Sequence, residues 1–303
     1  MLSTLKHILE MIRFSHTLFA LPFALLAAVM AWTAPTPDGD QIGFRWLHLV
    51  GVAACMVSAR SAAMAFNRIA DRNIDAQNPR TKSRHIPIGA LSVRSVWLFT
   101  LASSVGFVAS TLLFLPNPLP LFFSVPVLLF VLSYSYAKRY TALSHFWLGT
   151  SLMFAPAGVW VALRGELLMV ALSDALPALS LGAAVLLWVA GFDMIYACQD
   201  VEFDVKAKLH SVPAKLGVVG ALRLAAVCHL GMIAALVALP ILSPQLPLGW
   251  IYWCGIAAVA VLLLYEHAIV KPDDLTRVNI AFFHVNSIVS IGLFLIGTLD
   301  LLT

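Results

Sequence analysis

The chain has 303 residues, 61% of them hydrophobic and only 11% charged, with a formal net charge of +4. Soluble domains are roughly half apolar and a quarter charged, so this composition excludes one, and many unbroken apolar runs of about 20 residues predict a polytopic helical membrane protein. A membrane β-barrel is set aside too, because its strands alternate polar and apolar residues in segments of about ten.

Taken in chain order, the apolar runs predict nine spans, near 14–32, 46–66, 95–115, 118–136, 146–164, 175–199, 220–239, 248–270 and 277–301. The first follows Lys6 and Arg13, as a signal peptide would, yet it continues to Trp32 with no convincing cleavage site and reads as a transmembrane helix. Prolines mark several boundaries: Pro35 and Pro37, Pro116 and Pro118, then Pro240, Pro244 and Pro247. Cys55, Cys198, Cys228 and Cys254 lie in or at the ends of apolar runs without CxxC spacing, which argues for packing roles rather than disulfides or zinc.

Sixteen of the 19 Lys and Arg residues fall on the side of the N-terminus; Arg45 and Arg164 lie on the other side, and Arg60 lies inside the second span. The positive-inside rule then places the N-terminus in the cytoplasm and the C-terminus outside, in the cell inner membrane. The net charge reflects topology and calls for no nucleic-acid partner.

Two acidic stretches interrupt this oily pattern. Asn67-Arg68-Ile69-Ala70-Asp71-Arg72-Asn73-Ile74-Asp75 ends the second span, and Tyr196-Ala197-Cys198-Gln199-Asp200-Val201-Glu202-Phe203-Asp204 ends the sixth. Within each, two aspartates four residues apart fall on one helical face, about 40° from each other. Asn67 and the four carboxylates are hard oxygen donors suited to Mg²⁺, which usually keeps waters and is completed by substrate phosphates. The motifs lie 129 residues apart, each after an even-numbered span. The expectation is one domain over 1–303, with a degenerate repeat of four helices plus four and then one, and both motifs at the cytoplasmic mouth of a central cavity. The plainer alternative is two solvated acidic loops.

Basic residues crowd the same loops, where topology alone also explains them. Arg60 is different: seven residues before Asn67 and inside the second span, it is expected to bind a diphosphate or carboxylate, or else to form a structural ion pair. Asp193, Tyr196, Asp200 and Asp204 follow at i, i+3, i+7 and i+11 as one polar stripe. The deepest, Asp193, is expected to pair with a cation such as Arg60 or to join the active-site network. Tyr134 to Thr141 reads either as an interfacial aromatic belt with stop-transfer charges or as part of the site. The histidines show no metal-ligand spacing, His16 and His284 reading as polar packing, and no Walker, Rossmann or triad signature appears.

Together these residues resemble the UbiA superfamily of intramembrane prenyltransferases over nearly the whole chain. The likeness is carried by Asn67-x-x-x-Asp71-x-x-x-Asp75 and Tyr196-x-x-x-Asp200-x-x-x-Asp204. Arg60, Arg80-Thr81-Lys82-Ser83-Arg84, Lys138-Arg139-Tyr140-Thr141, and Ser211 with Pro213 and Leu216-Gly217 support it. Two positions depart from the family pattern: Arg68 stands where aspartate is commoner, and Lys208 where glycine is frequent. With Phe192 to Asp200, the first departure resembles the branch of 4-hydroxybenzoate polyprenyltransferases and futalosine-route menaquinone prenyltransferases.

The resemblance implies an all-α fold of nine helices around a cavity, and Mg²⁺-dependent transfer of a polyprenyl group from polyprenyl diphosphate to an aromatic acid. That acid would be 4-hydroxybenzoate or 1,4-dihydroxy-6-naphthoate, in ubiquinone or menaquinone biosynthesis. It implies metal ligation by Asn67, Asp71, Asp75, Asp200 and Asp204, and diphosphate contacts from Arg60, Arg68, Lys82, Arg84 and Lys206. Asp193 or Asp200, with Tyr196 in the same stripe, is expected to orient the acceptor hydroxyl, and Arg139 to hold its carboxylate. Another UbiA-type acceptor is the nearest alternative. A CDP-alcohol phosphotransferase would cluster its aspartates in one place, and a secondary transporter would carry its charges near the bilayer midplane.

Overall fold

The structure of the protein, a computed structural model, describes residues 2–12 and 19–303. Arg13, His16 and the start of the first predicted span lie outside the described residues, as do the side chains of residues 2–6, Lys6 among them. Every regular element among the described residues is a helix, apart from two isolated β-bridges in loops. In chain order these are α1 (Leu2–Met11), α2 (Leu21–Thr33), α3 (Trp46–Ala70), α4 (Arg72–Gln77), α5 (Val93–Thr111) and α6 (Leu119–Ala137). There follow α7 (Ser144–Val170), α8 (Leu176–Ala197), α9 (Val201–Lys206), α10 (Val212–Leu242), α11 (Trp250–Ile269) and α12 (Asn286–Leu302).

Eight helical stretches among the described residues are long and apolar enough to cross a membrane. α2 has 13 residues, about 20 Å at 1.5 Å per residue, which is short of the bilayer's hydrocarbon core of about 30 Å. Among the described residues, the nine expected spans correspond to eight helical stretches of spanning length and the shorter apolar α2, with the start of the first span lying outside them.

Two boundaries moved for identifiable reasons. The fifth span was expected to stop at Arg164, and the helix kinks there: Arg164 is non-helical at φ −120, ψ 18, its side chain turns inward and is only 1% exposed, and α7 resumes to Val170. Its guanidinium donates to the Asp174 carboxylate and to the carbonyls of Ala31, Ala34 and Pro35, which satisfies the free C-terminal carbonyls of α2. α10 begins at Val212 rather than near residue 220, but Gly217 at φ +70 interrupts it, a conformation glycine adopts without penalty.

Lipid tails are as apolar as leucine, so helices in a bilayer associate through close packing rather than by escaping water. α8 is the centre of that packing. In the stretch 172–206, 67% of the most apolar window is buried, against 22% at Val93–Phe114 and 17% at Leu119–Ala137, which places α5 and α6 at the periphery. Trp188, Leu181, Val185 and Val189 of α8 are fully buried in a core shared with Phe23 of α2 and Met232 and Leu236 of α10. Small residues allow the approach. A Cβ on Gly149 of α7 would lie 2.4 Å from the Leu186 carbonyl oxygen of α8.

Candidate active site

Both acidic motifs are built the same way. A long helix, α3 or α8, breaks at the first aspartate of the motif, and a six-residue helix, α4 or α9, then carries the second. Asp71 at φ −93, ψ 4 and Asp200 at φ −104, ψ 4 share a bridge-region backbone, a sparsely populated conformation frequent in active sites. The stripe from Asp193 to Asp204 is therefore not one continuous helix, since a 3-10 turn at Cys198–Asp200 separates α8 from α9.

These breaks bring the motifs to one cavity of about 170 Å³. Of the expected residues, Asn67, Asp71, Asp75, Arg84, Arg139, Asp193, Tyr196, Asp200 and Asp204 all line it. Arg60, Arg68, Lys82 and Lys206 are not among its described lining residues. Lys82 and Lys206 are solvent-exposed, and Arg68 donates to the Asn67 side chain at 3.2 Å. Arg60 does not pair with Asp193; its guanidinium donates to the Ile12 carbonyl at 3.3 Å, while Asp193 meets His145, whose Nδ1 lies 2.6 Å from Oδ2.

The remaining acids are held largely by basic neighbours. Arg84 donates to both oxygens of Asp75 at 2.7 and 2.8 Å. Asp71 accepts from Asn67 at 2.9 Å and from Arg139 at 3.4 Å. Burial, and then the charge of Asp75, push the Asp71 carboxyl above its ordinary range, with Arg139 pulling the other way. Asp200 is gripped by Arg80, which donates through Nε at 2.8 Å and through Nη2, and by Asn78 at 3.1 Å. Arg80 also donates to the Tyr196 hydroxyl at 2.9 Å and lies 5.2 Å from the centre of that ring, which packs 4.3 Å from Phe282.

Sequence reasoning passed over several of these groups as site residues. Asn78 had a readable signal, because Asn67, Asp71, Asp75 and Asn78 fall at i, i+4, i+8 and i+11. Arg80 was noted as a loop cation and within the Arg80-Thr81-Lys82-Ser83-Arg84 segment that supports the resemblance, but not as a site residue, and nothing in its spacing pointed to Asp200, 120 residues away. Tyr134, Ser135 and Lys138 also line the cavity, so the segment from Tyr134 to Thr141 contributes to it. His145 gave no signal at all.

The donor set suits a hard divalent cation. Asp204 Oδ2 is buried with no hydrogen-bond partner, an uncompensated acceptor in the cavity wall. Among the described residues no three His, Cys, Asp or Glu side chains converge as a ready-made metal cage.

Residues 20–288 match the UbiA prenyltransferase family. The chain is 33% identical over 233 residues to a 4-hydroxybenzoate octaprenyltransferase of Nitrosospira multiformis, covering 76% of this chain and 75% of the relative. It is 31% identical over 268 residues to one from Xanthomonas euvesicatoria, covering 87% and 83%. Among solved structures, the apo structure of a UbiA homolog from Aeropyrum pernix superposes with a TM-score of 0.76 at 31% identity, over 95% of this chain and 97% of that one. An Archaeoglobus fulgidus UbiA homolog bound to DMAPP and Mg²⁺ superposes with a TM-score of 0.71 at 16% identity, over 98% and 99%, a likeness of fold.

Proposed function

Because the chain belongs to the UbiA prenyltransferase family, we propose that it transfers a polyprenyl group from polyprenyl diphosphate to an aromatic carboxylic acid, 4-hydroxybenzoate or 1,4-dihydroxy-6-naphthoate, in quinone biosynthesis. The observation that carries this reading is the meeting of both acidic motifs, with their arginines, at one cavity. The curated relatives named as 4-hydroxybenzoate octaprenyltransferases support the acceptor class.

Asn67, Asp71, Asp75, Asp200 and Asp204 would hold Mg²⁺, with the unpartnered Asp204 oxygen available to it. When bound, Mg²⁺ neutralises the diphosphate and stabilises it as a leaving group. Arg80, Arg84 and Lys138 line the same cavity and neutralise the charge that builds on the diphosphate as its bond to the prenyl carbon breaks. Lys82 and Lys206, with Arg68 beside Asn67, act at longer range as a positive rim that draws in the anionic substrates, while Arg60 adds its charge from within α3. Tyr134 and Tyr196, the latter backed by Phe282, wall the site with aromatic faces, which favour a developing allylic cation and keep water from it. The ring carbon of the acceptor bonds to the prenyl carbon, and the ring proton leaves.

The acceptor's two polar ends have candidate partners in this chain. Arg139 Nε is buried without a hydrogen-bond acceptor, a donor suited to the acid's carboxylate. Asp193 lines the cavity and is not engaged by an arginine, so it is the better partner for the ring hydroxyl than Asp200, both of whose oxygens Arg80 occupies. The bias of basic residues supports a cytoplasmic active site in an inner membrane, and the matched helix breaks support one domain with a four-plus-four-plus-one repeat.

The test is a product assay with purified protein in detergent, Mg²⁺, a polyprenyl diphosphate and the two aromatic acids offered in parallel. A prenylated product from either acid is expected. No product from either overturns the acceptor class.

A further inference from the structure

Asp193 is held unlike the other acids of the cavity that have partners. Asp71, Asp75 and Asp200 each face an arginine, whereas Asp193 Oδ2 lies 2.6 Å from Nδ1 of His145. His145 is fully buried in the first turn of α7 and does not itself line the cavity. Its other ring nitrogen, Nε2, accepts the backbone N–H of Val212 at 3.3 Å. Val212 opens α10, and its N–H is one of the donors that a helix N-terminus leaves without an intrahelical partner.

This arrangement fixes the tautomer. A ring nitrogen that accepts a hydrogen bond carries no proton, so the proton of the neutral imidazole is on Nδ1 and points to Asp193. A neutral donor supports the ionised carboxylate without cancelling its charge, as an arginine would. No other hydrogen bond to the Asp193 side chain occurs among the described residues, which leaves Oδ1 for the cavity that Asp193 lines.

We infer that His145 is a positioning residue for the aromatic acceptor: braced by α10, it locks the Asp193 carboxylate so that Oδ1 accepts the hydrogen bond of the acceptor's ring hydroxyl. The inference rests on the prenyl-transfer reading above and adds a residue outside the cavity to it. Three elements, α7, α8 and α10, set the place of one oxygen atom.

The test compares wild type with His145→Leu, which fills the space but offers no hydrogen bond, and His145→Asn, whose amide keeps a donor near the position of Nδ1. Turnover is measured with whichever aromatic acid the wild type accepts. Acceptor binding is measured by thermal shift with that acid and with its O-methyl ether, which has no hydroxyl hydrogen to donate. His145→Leu is expected to lower kcat by about tenfold or more, with the KM for polyprenyl diphosphate unchanged within about twofold, and to bind acid and ether alike. His145→Asn is expected to recover most of the turnover and the preference for the hydroxyl. The inference is overturned if His145→Leu keeps kcat within about twofold, or keeps the hydroxyl preference. It is also overturned if both variants fail to fold or lose diphosphate affinity together, since the histidine would then be a scaffold residue. Absence of product from the wild type overturns the parent reading, and this inference with it.

Discussion

Lys208 holds a left-handed backbone, φ +53, at the position where the family resemblance leads one to expect glycine. A side chain there costs roughly 1–2 kcal/mol, and glycine's greater freedom when unfolded offsets part of that, so Lys208→Gly is expected to stabilise the protein by about 0.5–1 kcal/mol. Thermal unfolding in detergent reads this directly. Asp200→Asn keeps the shape of the side chain but removes the charge that Arg80 grips and a proposed metal ligand. Turnover should fall by at least about 100-fold, with prenylated product as the readout. Chelation of wild-type enzyme with EDTA should do the same and reverse on adding Mg²⁺; full activity in EDTA would refute the metal-dependent reading. At this scale the acids were legible because helical period alone aligns them, and Asn78 was within reach of the same rule. Arg80 and His145 were not legible, because their partners Asp200 and Asp193 are brought to them only by tertiary packing.

At the scale of elements, the contact of α7 with α8 is the most demanding one. A methyl on Gly149 would meet backbone, which cannot swing aside, so Gly149→Ala is expected to cost about 1–3 kcal/mol. It should also lower activity, since α7 carries His145 and α8 carries Asp193. Gly158, on the same helix with nothing within 4 Å of its added Cβ, provides the control: Gly158→Ala should leave unfolding temperature and turnover near wild type. The apolar runs located the long helices within a few residues, because a membrane demands about 20 apolar residues and leaves little latitude. At α7 the expected end at Arg164 is a kink rather than a terminus, with the inward-turned guanidinium held by the carbonyls of Ala31 and Ala34 at the end of α2. The breaks at Asp71 and Asp200 were also hidden, since no proline or glycine marks them.

For the whole molecule, the sequence rule and the fold make a joint claim about sidedness. In a background with the native cysteines replaced, a cysteine at Lys82 should react with a membrane-impermeant thiol reagent only from the cytoplasmic side, and one at Asp38 only from the outside. The reverse pattern would invert the topology and move the active site to the other face. General architecture was readable because bilayer thickness, basic-residue bias and the two motifs all constrain it independently. Which helix becomes the centre was not readable from hydrophobicity, since α8, its Asp193 aside, and the peripheral α6 are both predominantly apolar and their burial depends on what surrounds them.

The bridge from Arg80 to Asp200 joins the loop after the first motif to the second motif. On the proposed reaction, a diphosphate would compete with the Asp200 carboxylate for Arg80. Such competition weakens capture somewhat, but it also gives the arginine somewhere to return when chemistry is over. On that reading, re-forming the internal pair would favour release of the diphosphate leaving group, and so repeated cycles over a single tight embrace.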